Sequence, residues 1–313
     1  MSSPIKNVII IGASGSIGPS TISSLLSSNF TVSVLTRLTS NSTLPSTFPS
    51  TFPSTVTVIR SDYSTPSLLS AFKNQDAVIS AIATFSTSEQ ISIIDAAVQA
   101  GVKRFIPSEY GIDTQVPEVA ELLPPAKPKQ DTVAHLRAKE GEGMSWTAIC
   151  VGTFFDWTFA RPGLQGWNVP ARKATIFDGG EYEYEATNLD QIGRAINSVL
   201  LPEHLEETKN QYVYVNSFTT TQNAVLKVLE KITGEKFEVE HKTVEETYRM
   251  GLEQLRSGGL GPVSVITAVL YGKGGVNNFS KSRGLWNERL GLLREDLEEC
   301  LRGVVGEFGE VKE

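Results

Sequence analysis

Three glycines spaced three residues apart, Gly12, Gly15 and Gly18, lie in the stretch KNVIIIGASGSIGPSTISSLLSSNFTVSVLTR, residues 6–37. Without a Cβ, such positions let backbone approach a pyrophosphate closely, and a helix opening around residues 16–19 turns its free N–H groups on that anion. Ser14, Ser16 and Ile17 fill the turn between the glycines and are candidate cofactor contacts alongside them. Arg37 follows 19 residues after Gly18, where a site for NAD usually carries Asp or Glu for the ribose hydroxyls. A guanidinium there suits a 2′-phosphate, with a solvated arginine at a strand end as the alternative. The chemistry on offer is binding of a phosphorylated dinucleotide, NADPH in preference to NADH.

A second group of residues is aromatic. Phe154, Phe155, Trp157 and Trp167 cluster after the stretch WTAICV, where a pocket wall is expected, and such rings suit a small aromatic or conjugated substrate. Other chemistries find little support. No tyrosine has Lys four residues on, and neither a nucleophile elbow nor a phosphate loop of the Walker type occurs. Cys150 and Cys300 lack metal or redox spacing, and His135, His204 and His241 stand far apart.

The elements that must position these residues alternate strand and helix. The β-branched run at residues 8–11 ends at Gly12, as a first strand covered on both faces would. Further strands are predicted at 31–36, 56–59, 77–83, 104–107 and 146–151, with helices at 66–72, 90–100 and 129–140 and a loop at 111–128 between the last strand pair. The fold class is therefore α/β, a Rossmann-type doubly wound parallel sheet with a smaller α+β C-terminal lobe. The expected division is 1–152 for the dinucleotide-binding domain and 153–313 for a substrate lobe interleaved with its sheet. In that lobe Asp178-Gly179-Gly180 predicts a hairpin between 173–177 and 182–186, Asn188 an N-cap for a helix at 189–200, and Gly234 a stop for a helix at 221–233. Glycine is frequent between Gly258 and Gly284, which reads as a flexible lid or a packing segment. Repeated Pro-Ser-Thr over residues 39–54 marks an exposed insertion beside Arg37.

The chain has 313 residues, 28 basic against 35 acidic, and a formal charge of -7. That balance argues against a nucleic-acid or anionic-membrane surface. The apolar run near the start is too short for a signal peptide or a membrane span, which makes the cytosol the default location.

GASGSIG at residues 12–18, AGVKRFIPSEYGID at 100–113 and WTAICVGTFFDW at 146–157 together resemble the NmrA-like and isoflavone-reductase-like atypical short-chain reductases. The stretch KATIFDGG at 173–180 is similar to fungal members. The resemblance covers essentially the whole chain and implies NADPH-linked reduction of a small molecule. By the same resemblance Gly12, Gly15, Gly18 and Arg37 contact the dinucleotide, and Ala81 and the turn containing Ser108 and Tyr110 line the nicotinamide side. It also implies a catalytic lysine, next to the cofactor, at the start of the helix after that turn. Lys129 is the match, with Lys127 as competitor because the helix-loop is a few residues longer than in the plant reductases. The other branch of the family implies a different function, a non-catalytic NADP sensor that controls a protein partner.

Overall fold

A computed structural model describes residues 4–38, 53–257 and 261–308. The Pro-Ser-Thr insertion, as far as residue 52, lies outside the described residues. Thirteen strands are seen among them: β1 Asn7–Ile11, β2 Thr31–Arg37, β3 Thr57–Ser61, β4 Ala77–Ser80, β5 Arg104–Ile106, β6 Ser145–Cys150, β7 Thr153–Phe154, β8 Trp167–Asn168, β9 Lys173–Phe177, β10 Tyr184–Thr187, β11 Gln211–Tyr214, β12 Phe218–Thr220 and β13 Glu238–Lys242. The helices are α1 Gly18–Ser27, α2 Thr65–Phe72, α3 Gln90–Gln99, α4 Val119–Leu122, α5 Lys127–Ala138, α6 Phe155–Phe159, α7 Leu189–Ser198, α8 Gln222–Thr233, α9 Val244–Arg256, α10 Gly261–Leu270, α11 Phe279–Ser282 and α12 Leu297–Glu307. None is long and apolar enough to cross a membrane.

The central sheet has seven strands in the order β11-β6-β5-β4-β1-β2-β3, and every pair in it is parallel. Period-two geometry explains why β1 must be apolar at every inward position. Val8 and Ile10 join a core with Ile22 and Leu25 of α1 and Ile192 of α7. Ile9 and Ile11 point the other way, into a core with Phe72, Ile93 and Val133 from α2, α3 and α5. The strand order reverses between β1 and β4, so the connections leaving their carboxyl ends run to opposite sides of the sheet and leave a crevice for a ligand.

Two three-stranded sheets, β12-β10-β7 and β13-β9-β8, complete the fold. They enclose a third core built on Phe155, Phe159, Trp167, Tyr184 and Tyr271. The lobe is threaded back into the first: β11 pairs with β6, and a Cβ on Gly193 of α7 would come within 2.5 Å of the Ser20 carbonyl of α1. That close approach is possible only because position 193 has no side chain.

Several local expectations are corrected. The predicted hairpin does not form, because β9 pairs with β13 and β8 while β10 pairs with β12 and β7. Asp178, Gly179 and Gly180 all have positive φ, at 45°, 79° and 74°, and this triple turn swings the chain from one sheet into another. Asn188 does not cap α7 with its side chain. The Leu189 N–H donates instead to both carboxylate oxygens of Asp156, each at 3.1 Å, and the Asn188 amide is drawn away to Glu295 at 3.1 Å. Helix α5 starts two residues before Lys129, with Pro128 in its first turn, and the expected loop at 111–128 contains α4. The glycine-rich segment, outside residues 258–260, carries α10, whose Val265 and Val269 pack with Ile112 and Leu123. Gly234 stops α8 at φ 69° as expected.

Candidate functional site

The first strand delivers the chain into a turn that tolerates little substitution. Gly12 has φ +78°, and a Cβ on it would lie 2.5 Å from the Ala81 carbonyl at the end of β4. At Gly18 a Cβ would lie 1.8 Å from the Ala13 carbonyl. Gly15 donates its N–H to the Gly12 carbonyl at 2.9 Å, and Gly18 donates to Gly15 at 3.2 Å. Helix α1 then begins without a side-chain cap, so its orphan N–H groups and positive dipole end remain for an anion. Gly12, Ser14, Gly15, Arg37 and Ala81 line one cleft of about 350 Å³, together with Tyr63, Ile82 and Ala83. Ile17 and Gly18 are placed beneath it; Ile17 is 5% exposed and sits in the core under the turn.

Arg37 reaches the rim of this cleft from the end of β2. Its side chain is 61% exposed, and the guanidinium pairs with Glu89 at 3.2 Å. The Tyr63 ring lies 6.0 Å away. Glu89 is 52 residues distant from Arg37 in the chain, and only folding brings it there. An exposed pair of this kind is weakly held and open to exchange for a stronger anion.

A second cavity, of about 360 Å³, adjoins the first, and Ala83 lines both. Ser16, Tyr110 and Lys129 line it from the sheet side, Phe154, Trp157 and Gln165 from the C-terminal lobe, and Ile266 and Leu270 from α10. Its wall is mostly carbon. Lys129 is 9% exposed, and its Nζ donates to the Glu109 carbonyl at 2.5 Å. Burial lowers its pKa, and the Glu109 carboxylate opposes that shift. Glu109 is itself buried, and burial raises its pKa against the pull of Lys129 and a hydrogen bond donated by Thr114. Lys127, two residues earlier, points to solvent at 60% exposure and pairs with Asp131 along the same helix. The helical period alone separates the two lysines, which a linear reading left open.

The other predicted positions divide in the same way. Phe154 meets Trp157 edge to face, with ring centroids 6.3 Å apart. Phe155, expected in the pocket, is 1% exposed and packs on Phe159 and Phe218 at 4.9 and 5.0 Å, which makes it a core residue. Trp167 is likewise core, its Nε1–H donating to the Tyr271 hydroxyl at 2.9 Å. Ser108 does not line either cavity: its hydroxyl donates to the Ile82 carbonyl at 2.8 Å, and its N–H donates to Gln90 at 2.8 Å. It braces the cleft from behind. Glu89, Gln90 and Gln165 were missed by sequence reasoning, since none belongs to a motif with fixed spacing, whereas Glu109 entered only as part of the turn that holds Ser108 and Tyr110.

The model of the NmrA-like family matches residues 4–272. The oxidoreductase aprR of Aspergillus flavus is 36% identical, over 95% of this chain and 98% of its own length. The phenylcoumaran benzylic ether reductase Betv6 of Betula pendula is 29% identical, over 88% of this chain and 89% of its own. Among solved structures, the binary complex of leucoanthocyanidin reductase with NADPH from Vitis vinifera superposes with a TM-score of 0.73 at 19% identity, covering 96% of this chain and 99% of that one. The glycine turn, the two adjoining cavities and these likenesses agree, and the chain belongs to the NmrA-like family, among its oxidoreductases.

Proposed function

We propose that the protein is an NADPH-dependent reductase of a small aromatic or conjugated metabolite. One observation carries the reading: a buried lysine, Lys129, stands in the wall of an apolar cavity that adjoins, at Ala83, the cleft above the glycine turn. The residues present fit a phosphorylated dinucleotide. The uncapped start of α1 and the Cβ-free turn at Gly12 and Gly15 would take the pyrophosphate, Arg37 would exchange Glu89 for the 2′-phosphate, and Ala81 would lie along the cofactor's path. Bound NADPH would supply the hydride. The names of the relatives support this choice of partner, since one is an ether reductase and another was solved with NADPH.

In this reading the cavity holds the substrate against Phe154 and Trp157, its apolar wall excluding water from the reacting carbon. Lys129 is the catalytic residue. Its Nζ spends one donor on the Glu109 carbonyl, and an ammonium has two more to place on an oxygen that gains negative charge, which it then protonates. The lowered pKa makes it a better acid near neutrality than a free lysine. A division of labour between residues 1–152 and 153–313 belongs to the same proposal, the first part holding cofactor and the second closing the substrate cavity.

The test has two steps. Fluorescence titration should give saturable binding of NADPH, and aromatic enones, ketones and benzylic ethers should then be screened for loss of NADPH absorbance. Turnover of at least one is expected. Binding with uniform inactivity, plus stoichiometric recovery of a regulatory protein, would instead favour the sensor reading. No binding at all would remove both.

A further inference from the structure

Thr114 is buried in the loop that leaves β5, five residues after Glu109. Its carbonyl accepts from the Gln130 carboxamide at 3.1 Å, which ties the loop to α5, the helix that carries Lys129. Its hydroxyl donates to Glu109 Oε2 and lies 3.2 Å from the Tyr212 hydroxyl of β11. A hydroxyl has one proton to give, and a carboxylate can only accept. Thr114 therefore spends its proton on Glu109, and Tyr212 must donate to Thr114. Burial keeps the Tyr212 phenol protonated and able to do so. The outcome is a chain of donors, Tyr212 to Thr114 to Glu109, that ends on a buried carboxylate. The other Glu109 oxygen, Oε1, is buried and has no partner among the described residues, so the Thr114 hydroxyl makes the one hydrogen bond to that carboxylate among them.

Of the charged groups that act on Glu109, Lys129 of α5 favours its ionised form and Asp113 of the same loop opposes it. Asp113 is already matched, by Arg283 at 2.8 Å and the Tyr214 hydroxyl at 2.9 Å. Burial holds Tyr110 and Cys150, the latter on β6, in their neutral forms. Lys129 and Glu109 are thus a buried pair between which one proton has two places. Either Nζ keeps it and the pair is charged, or an N–H bond breaks, an O–H bond forms on the carboxyl, and both groups are neutral. Burial disfavours the charged arrangement at both ends, so the hydrogen bonds decide. The Glu109 carbonyl accepts from an amine or an ammonium alike, whereas a bond donated to a carboxyl oxygen is strongest when that oxygen is charged. We propose that Thr114 is a positioning residue for the reduction, one that holds Glu109 as a carboxylate and thereby keeps the acidic proton on Lys129. This rests on the reading that Lys129 is the proton donor.

Two readouts on the full chain at neutral pH test this with neither cofactor nor substrate. One is the infrared carbonyl band of a protonated carboxylic acid. The other is acetylation of Lys129 by trace acetic anhydride, which reacts with the neutral amine only, followed by peptide mass spectrometry with the exposed Lys127 as internal standard. Thr114→Val keeps the shape and removes the hydroxyl. It should gain an acid band that is absent from the wild type and from the Thr114→Val, Glu109→Gln double variant, and its Lys129 should acetylate about tenfold faster or more, the scale of a lost hydrogen bond to a charged group. Thr114→Ser restores the donor and should behave as wild type; a packing role for the side chain would rank the two variants the other way. Tyr212→Phe leaves Thr114 in place and should move both readouts in the same direction by a smaller factor, which carries the test if Thr114→Val does not fold. A wild-type acid band that Glu109→Gln removes, or a folded Thr114→Val with no band or with wild-type acetylation of Lys129, would overturn the proposal. A wild type that reduces no substrate fails as a reductase whatever these readouts give, whereas unchanged readouts in a protein that turns over fail only the role given to Thr114.

Discussion

Replacing Lys129 with methionine keeps an unbranched chain in the cavity wall and removes the ammonium. In the wild type Lys129 is 9% exposed and its Nζ donates to the Glu109 carbonyl at 2.5 Å. Removal should lower turnover about 10²–10⁴-fold, the usual scale for losing a positioned general acid, which corresponds to about 3–5 kcal/mol of transition-state stabilisation. Folding should hardly suffer. The Glu109 carbonyl loses a donor at a cost of about 1 kcal/mol, while the desolvation penalty of a buried charge disappears. NADPH affinity should stay within several-fold, because the anionic parts of the cofactor are assigned to the glycine turn and Arg37. The assay is steady-state NADPH oxidation with the substrate found by screening, beside fluorescence titration of the cofactor and a thermal melt. Lys127→Ala is the control: its side chain is 60% exposed and paired with Asp131, and an exposed pair of that kind contributes little. It should retain full turnover. A Lys129→Met enzyme working above about a tenth of the wild-type rate would refute general-acid catalysis here, and a dead Lys127→Ala beside an active Lys129→Met would show that the wrong lysine was chosen.

Other perturbations test neighbouring parts of the argument. Arg37→Asp should weaken NADPH binding by about 1.5–3 kcal/mol with little effect on NADH, and Glu89→Gln, which frees the guanidinium, should tighten NADPH several-fold; equal shifts for both cofactors would show that this rim does not read the phosphate. Glu109→Gln removes the negative charge that favours the Lys129 ammonium, so the limb on which kcat falls with rising pH should move to lower pH, and an unmoved limb would mean that Glu109 does not tune the lysine. Asp156 is raised from an ordinary 3.8 to about 6, first by burial and against the hydrogen bonds from Leu189 and Trp157. A carboxyl with a raised folded-state pKa contributes stability that is complete below pH 3.8 and lost as pH climbs through about 6. Asp156→Asn should therefore lack, in urea melts at several pH values, a decline on the order of 3 kcal/mol or less that the wild type shows over that window; identical pH dependence in both proteins would contradict the burial argument.

The glycine turn, the alternation that builds the parallel sheet and the basic residue after the second strand were legible in the sequence, because each is fixed by local conformation. Gly12 needs its positive φ, β1 must be apolar on both faces, and the βα repeat sets where Arg37 falls. Phe154 and Phe155 were indistinguishable in the chain, yet one lines the cavity and the other is sealed in the core, since consecutive side chains leave the backbone in different directions. The hairpin failed for a related reason: a turn sequence says that the chain bends, while the sheet that receives the next strand is chosen by long-range pairing. Glu89 beside Arg37, Glu109 beside Lys129 and Asp156 at the head of α7 were decided by tertiary structure alone. Each owes its charge or partner to residues distant in sequence, and burial, which sets the cost of an unmatched polar group, does not exist until the two lobes close on each other.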